Sequence, residues 1–161
     1  EAVVLDKEPA GEQDARVHFF TKELGKVSAK AVSVRKIISK LNSHLEPLNL
    51  VQIRLINKNK FQVADALKAS SLPADCLPVL RLIKEVFPEE QPDLALWGLV
   101  INNELTPAAV LKVAGFDSAH ASCQLCQSRA SLKFLVKNLD YFCSNCLSFG
   151  SNSPQNDTVI V

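Results

Sequence analysis

The first 70 residues alternate short β-branched runs with turn residues and show no sustained helical period. This pattern predicts five strands, at residues 2–6, 16–21, 27–34, 48–56 and 61–66. Turns between them are marked by Pro9-Ala10-Gly11, Leu24-Gly25 and Asn57-Lys58-Asn59. Five strands in about 70 residues favour a small closed barrel. The longest connection, residues 35–47, is basic and apolar, which is typical of a binding loop or a short helix on such a barrel.

After residue 70 the apolar spacing becomes helical. Residues 73–86 place Leu77, Leu80, Ile83 and Val86 at helical intervals, and residues 93–101 form a second apolar helix centred on Trp97. A third helix is predicted over residues 107–114, between an amino-terminal cap at Thr106 and a stop at Gly115. The polar carboxy-terminal residues predict a flexible tail. The expected organisation is therefore a barrel at 1–70, a helical domain at 71–150 and a tail at 151–161.

Four of the five cysteines form two C-x2-C pairs, Cys123 with Cys126 and Cys143 with Cys146, separated by sixteen residues. Two residues between thiolates let both sulfurs of a tight turn face one ion, and two such turns complete the four-sulfur shell that zinc favours. A redox dithiol needs only one pair, and the odd cysteine count argues against a disulfide framework. His120 is an alternative ligand, but four thiolates already fill the shell. We therefore predict one structural Zn²⁺ on these four cysteines.

Charge is unevenly distributed, although the formal net charge is only +1. Residues 1–70 carry a net charge of +4, and residues 71–161 carry −3. A basic front half beside an acidic back half suggests that one half meets a polyanion. Chance composition is the alternative.

Six cations occupy the window 22–40 and face a single acid, Glu23. They are Lys22, Lys26, Lys30, Arg35, Lys36 and Lys40. This density of positive charge is an electrostatic footprint for phosphates, and a solvated surface stripe is the alternative interpretation. The barrel half contains only three aromatic residues, so we expect it to bind the nucleic-acid backbone with little sequence preference.

Motifs of known enzymes and membrane proteins are missing from the sequence. It contains no Gly-rich phosphate loop, no G-x-S-x-G and no H-E-x-x-H, and the three histidines are scattered. We therefore expect a protein that is not an enzyme. No apolar run approaches the ~20 residues that a bilayer requires, and no signal segment opens the chain. A soluble, cytoplasmic protein without membrane contact is expected.

Several motifs follow one another in an order typical of one family. They are Glu1-Ala-Val-Val-Leu, Gly11-Glu-Gln-Asp14, Phe20-Thr-Lys-Glu-Leu-Gly-Lys-Val27, Arg35-Lys36-x-x-Ser39-Lys40, Leu45-Glu-Pro47 and Leu111-Lys-Val-Ala-Gly-Phe116, with the cysteine pairs behind them. In this order they resemble the bacterial RecO family of DNA repair proteins. The resemblance implies an α+β chain with an amino-terminal five-stranded OB-fold barrel, followed by a small α-helical domain that carries the four-cysteine zinc module.

The same resemblance implies a function in DNA repair and homologous recombination through the RecF pathway after DNA damage. Such a mediator binds single- and double-stranded DNA, anneals complementary strands and assists RecA loading on gapped DNA. Its implied partners are RecR and the carboxy-terminal tail of the single-stranded-DNA-binding protein, in a nucleoid-associated location. Arg35, Lys36 and Lys40 then become the first candidates for DNA contact.

Two other classes of protein remain as alternatives. A zinc-stabilised adaptor would use the apolar helix around Trp97 and the acidic back half to hold a protein partner, with only weak, non-specific DNA binding. A zinc-dependent hydrolase would need an open coordination position, which four sulfur ligands do not leave.

Overall fold

The computed structural model describes residues 1–36, 39–149 and 158–160, and it begins with a closed five-stranded barrel. The strands are β1 (Ala2–Pro9), β2 (Ala15–Thr21), β3 (Gly25–Ala31), β4 (Asn49–Lys58) and β5 (Lys60–Ser71). They close in the order β1-β2-β3-β5-β4, and only β3 and β5 are parallel neighbours. The five predicted strands and the expected OB-fold barrel are confirmed.

Alternating side chains fill the barrel. In β3, Val27, Ala29 and Ala31 point inward and are buried, whereas Lys26 and Lys30 point outward. Because the side-chain period of a strand is two, each strand contributes one face to the core. The core includes Val4, Val17, Phe19, Val51 and Val63, together with Leu45 from the connection between β3 and β4.

Three helices follow the barrel, close to their predicted positions. A 3-10 turn at Ala74–Cys76 leads into α1 (Leu77–Val86), and α2 (Leu94–Ile101) and α3 (Pro107–Val113) follow. The hydroxyl of Thr106 accepts a hydrogen bond from the Ala109 N–H, so the predicted cap of α3 is confirmed. Gly115 adopts a φ of +88°, the left-handed conformation that ends many helices.

The chain separates into two compact units, Glu1–Asn103 and Glu104–Val161. The chain changes from strands to helices near residue 70, as expected, but the first compact unit extends further, through α2. The unit includes these helices because α1 and the segment after it pack on the barrel. The ring of Phe87 contacts that of Phe20 edge-on, with 6.2 Å between the ring centres. None of the helices in the described parts of the chain is long and apolar enough to cross a membrane.

The second unit contains a small sheet behind α3. Its elements are a 3-10 turn at Ser118–His120, β6 (Leu132–Leu135), β7 (Asp140–Cys143), α4 (Ser144–Phe149) and β8 (Thr158–Ile160), with the sheet order β7-β6-β8. The predicted tail falls largely on residues outside the described ranges. Its residues 158–160 are described, and they differ from the prediction because they pair with β6.

Lys84 joins α1 to β1 through two carboxylates. Its Nζ lies 2.7 Å from Asp6 Oδ2 and also donates to Glu8. Burial alone would raise the pKa of Asp6, but hydrogen bonds from Lys84 and from the Lys7 N–H, with the charge of Lys84, bring it below its ordinary value. The hydrogen bond from Lys84 likewise lowers the pKa of Glu8.

We expect Lys84→Met to lower the free energy of unfolding at pH 7 by about 1–2 kcal/mol, since both carboxylates lose their cation. Lowered carboxyl pKa values give stability that is present above the unfolded pKa and lost as pH falls below about 4. The variant should therefore lose less stability than the parent between pH 5 and pH 3. Chemical denaturation at several pH values measures this, with Arg81→Met, an exposed cation of the same helix, as the control. Equal pH dependence in parent and Lys84→Met would contradict the assignment.

Candidate nucleic-acid interface and metal centre

A groove of about 840 Å³ is lined mainly by residues of β2, β3 and β5 and of the turns beside them. Its floor is formed by β3 and β5 at Ser28, Ala29 and Lys30 and at Phe61 and Gln62, and β2 contributes Arg16. Three exposed cations border this groove, and we call Arg16, Lys30 and Lys60 the groove cations. Asparagine and glutamine amides and the half-buried ring of Phe61 accompany them.

Two of the groove cations face each other directly. Arg16 in β2 is the register partner of Lys30 in β3, and both side chains point outward. Like charges at directly opposed positions destabilise a pair of strands, so an anion between them would be favourable. Lys30 is paired with Asp14 at 2.8 Å, but Arg16 has no ion pair among the described residues. Arg16 therefore presents a positive charge to the groove, which is also lined by Glu89 and Glu90.

A second group of cations lies in the connection after β3, and we call Arg35, Lys36 and Lys40 the loop cations. All three are exposed. Arg35 Nη1 donates to the Gly11 carbonyl at 3.0 Å, which brings its guanidinium to the β1–β2 turn. Asp14 in the same turn accepts a hydrogen bond from the Ser33 N–H. Hydrogen bonds from Lys30 and Ser33 lower the pKa of Asp14, with smaller contributions from the charges of Lys30 and Lys36.

The connection that carries the loop cations is fixed at its far end. Lys7 Nζ lies 2.7 Å from Asn42 Oδ1 and 2.6 Å from Glu46 Oε1. Leu45 is fully buried in the barrel core, and the Asn49 side chain donates to the carbonyls of residues 43 and 44. These contacts hold residues 42–49 of the connection on the barrel.

The structure separates the six cations of window 22–40 into different environments. Lys26 is half-buried, and its Nζ donates to the Lys84 carbonyl at 2.6 Å. Burial lowers the pKa of Lys26, against the raising effect of Glu89 and Glu85. Lys22 lies at the opposite end of β2 and β3 from Lys30. Lys30 and Arg35 bind residues of the β1–β2 turn, and the charge of Lys36 acts on Asp14 in the same turn.

Two groove cations, Arg16 and Lys60, were not among the residues predicted from the sequence. Arg16 gains its position from its register with Lys30, and Lys60 from the closure of β5 against β3. The basic turn Asn57-Lys58-Asn59-Lys60 was the available signal for Lys60. In the helix of the alternative adaptor function, Trp97 is buried with 5 % exposure, whereas Leu94 and Ile101 at its two ends are exposed.

The second unit brings the four predicted cysteines together. Their sulfur atoms all lie within 4.8 Å of one another, and those of Cys126 and Cys143 are 3.6 Å apart. Sulfurs bound tetrahedrally at about 2.3 Å from a zinc ion are separated by about 3.8 Å. His120 is exposed and outside this cluster. The spacing fits a four-sulfur site for one thiophilic divalent ion.

Backbone hydrogen bonds shape both cysteine turns. The Cys123 N–H donates to the Ser128 carbonyl, and the Cys123 carbonyl accepts from the Gln127 N–H, each at 2.8 Å. The Gln124 N–H donates to the Tyr141 carbonyl at 2.9 Å, which fixes the first turn against β7. The second turn begins where β7 ends at Cys143 and α4 starts, and the Cys146 N–H points at Cys143 Sγ.

The thiols themselves favour a bound cation. Backbone N–H groups, with that of Cys143 first, lower the pKa of Cys123 to about 6. Hydrogen bonding with the neighbouring thiols, Cys126 first, raises the pKa of Cys146 to about 12. The Cys123 thiolate therefore forms readily, whereas the raised pKa values of Cys126 and Cys146 oppose their ionisation. A divalent cation at the centre would remove that resistance, because it stabilises all four thiolates together.

Comparison with known proteins connects the fold to a family. Residues 1–71 match the family described as Recombination protein O N terminal. The DNA repair protein RecO of Thermodesulfovibrio yellowstonii is 27% identical over 173 residues, which cover 92% of this chain and 69% of that protein. The DNA repair protein RecO of Cutibacterium acnes is 36% identical over 63 residues, or 39% of this chain and 26% of that protein. The matched residues include the whole barrel, so this part of the chain is similar to the amino-terminal part of RecO proteins.

Proposed function

We propose that this chain acts in DNA repair and recombination by binding the DNA backbone at the groove and loop cations of its barrel. The observation that carries the proposal is the arrangement of Arg16 and Lys30, two outward cations at opposed positions on the β2–β3 face. OB-fold barrels bind oligonucleotides on the β2–β3 face and on the β1–β2 and β4–β5 loops. The printed names of the relatives, DNA repair protein RecO, support the same function.

The proposed mechanism is electrostatic. The groove and loop cations neutralise phosphates, which lets a second strand approach the bound one. Phe61 is the single aromatic residue that lines the groove, and it is half-buried, so stacking contributes little and the bases stay free to pair. Annealing of complementary strands requires no bond chemistry from the protein. Assistance to RecA loading, and contacts with RecR and with the tail of the single-stranded-DNA-binding protein, are further parts of the proposal.

The second unit is proposed to hold one Zn²⁺ as a structural ion on Cys123, Cys126, Cys143 and Cys146. The ion would join the two cysteine turns and thereby fix the β6–β7 hairpin that lies between them. Four sulfurs leave no open position on the metal, so the site would stabilise the fold.

Replacing Arg35, Lys36 and Lys40 together by alanine should weaken single-stranded DNA binding about tenfold or more at 0.1 M salt. Each lost phosphate contact should also reduce the slope of log K against log salt by about 0.7. Fluorescence anisotropy of a labelled oligonucleotide at several salt concentrations measures both quantities. Addition of the complementary strand then tests whether pairing is accelerated.

The control for this experiment removes three exposed cations from elsewhere, Lys22, Lys68 and Lys112, by the same substitution. It changes the net charge equally but leaves the groove and loop cations intact. Equal losses in the two triple variants would mean that net charge alone governs binding. Unchanged affinity and slope in the loop variant would exclude the loop cations from the interface.

A further inference from the structure

A short acidic segment borders the groove in which we place the DNA. After α1 the chain runs along β3, where Glu89 is the bridge partner of Lys26 and the Glu90 N–H donates to the Lys26 carbonyl at 2.8 Å. Both glutamates line the same groove as Arg16, Lys30 and Lys60. We call Glu89 and Glu90 the acidic rim. Glu89 thus lies beside Lys26, and the groove cation Lys30 lies four residues further along β3.

The acidic rim is fixed in position by its neighbours. Phe87, two residues before Glu89, packs on Phe20 of β2. On the other side, the Gln91 carbonyl passes so close to Gly25 that a Cβ there would lie 1.9 Å from the oxygen. Glu90 itself has a φ of +55°, a conformation that non-glycine residues rarely adopt. A segment held at both ends keeps its two carboxylates beside the groove.

The charge of the rim is available to act on a ligand. Both side chains are exposed, and neither forms an ion pair in the part of the chain that the structure describes. The nearest cation of β3, Lys26, directs its Nζ to the Lys84 carbonyl. Two negative charges therefore face whatever lies in the groove, within the range of about 10 Å over which charges act at 0.1 M salt.

We infer that Glu89 and Glu90 restrict this groove to a single strand of DNA and disfavour a duplex. The inference rests on the proposed DNA function. One strand carries one row of phosphates, which the groove cations can hold at a distance from the rim. A duplex carries a second row across a DNA groove that is about 6–12 Å wide. A duplex on the same cations brings this second row towards the carboxylates, where like charges repel.

The test compares the parent with the double variant Glu89→Gln, Glu90→Gln, using single-stranded and duplex oligonucleotides of equal length at 0.1 M salt. The variant should bind the duplex about 5–10-fold more tightly and the single strand at most about 2-fold more tightly. The matched control is Glu23→Gln, Glu104→Gln, which removes two exposed acids outside the groove. The control should leave the ratio of the two affinities unchanged. An unchanged ratio in the rim variant, or an equal shift in the control, would overturn the inference.

A third variant separates this inference from the proposed function. Arg16→Ala, Lys60→Ala should weaken binding of the single strand about 5-fold or more. If it does so while the rim variant leaves the ratio unchanged, the groove binds DNA and the role of the rim is refuted. If Arg16→Ala, Lys60→Ala has no effect on either ligand, the groove is not the DNA site, and both the assignment of the groove and the role of the rim are refuted.

Discussion

Replacing Cys143 by serine is expected to abolish zinc binding and to unfold the second unit. Cys143 is buried where β7 ends, and its sulfur lies 3.6 Å from that of Cys126, so its loss opens the centre of the cluster. A serine hydroxyl does not ionise near neutral pH and is a poor zinc ligand. Structural zinc contributes about 10 kcal/mol or more to folding in small modules, which exceeds the stability that such a module has without metal. Metal content by elemental analysis and thermal unfolding monitored by circular dichroism measure the two effects.

The control is Cys76→Ala, which changes the cysteine of the first unit that lies outside the cluster. This variant should retain one zinc per chain and lose only the small stability expected of a conservative change at a buried site. Treatment of the parent with a strong chelator should reproduce the behaviour of Cys143→Ser. A Cys143→Ser protein that keeps one zinc, or that loses zinc but melts as the parent does, would refute the structural role.

Replacing Gly25 by alanine should produce the largest loss of stability among substitutions in the first unit that we consider. Gly25 has a φ of +70°, and a Cβ there would lie 1.9 Å from the Gln91 oxygen and 2.2 Å from its carbonyl carbon. The left-handed conformation costs about 1–2 kcal/mol for alanine, and displacement of packed backbone costs about 1–3 kcal/mol more. The expected total is about 2–5 kcal/mol. For a unit of this size, such a loss lowers the melting temperature by about 10–20 °C.

Gly11→Ala separates the two contributions. Gly11 also has a positive φ, +96°, but nothing lies within 4 Å of a Cβ at that position. It should therefore show only the conformational cost, about 1–2 kcal/mol. Differential scanning calorimetry of both variants tests the difference. If Gly25→Ala costs no more than Gly11→Ala, the segment after α1 does not lie on Gly25 as described.

Features that depend on nearby residues could be predicted from the sequence. The five strands follow from runs of β-branched residues between turn residues, and the amino-terminal cap of α3 follows from Thr106 and Pro107 alone. The cysteine cluster was also predictable, because two residues between thiols fix the geometry of each turn. In these cases the physical cause lies within a few residues along the chain.

Features that depend on distant residues were missed. Arg16 joins the groove through its register with Lys30, and Lys60 through barrel closure, neither of which is visible in a local pattern. Lys26 lies on the same face of β3 as Lys30, but its Nζ donates a hydrogen bond to the Lys84 carbonyl of α1. Charge density along the sequence therefore identified the basic region, whereas tertiary packing decided which of its members stay exposed.

Two strand contacts of the barrel wall are the shortest, β3 with β5 and β1 with β4, and each has two register pairs. The parallel contact between β3 and β5 pairs Ala29 with Phe61 and Lys30 with Gln62, whereas β4 and β5 share ten pairs. Parallel pairing between distant segments costs loop-closure entropy before its contacts stabilise the fold. We therefore expect the contact between β3 and β5 to form late in folding, after the hairpins. The same four residues line the groove. The binding surface therefore does not exist in a partly folded barrel, and closure of the barrel and formation of the groove are a single equilibrium.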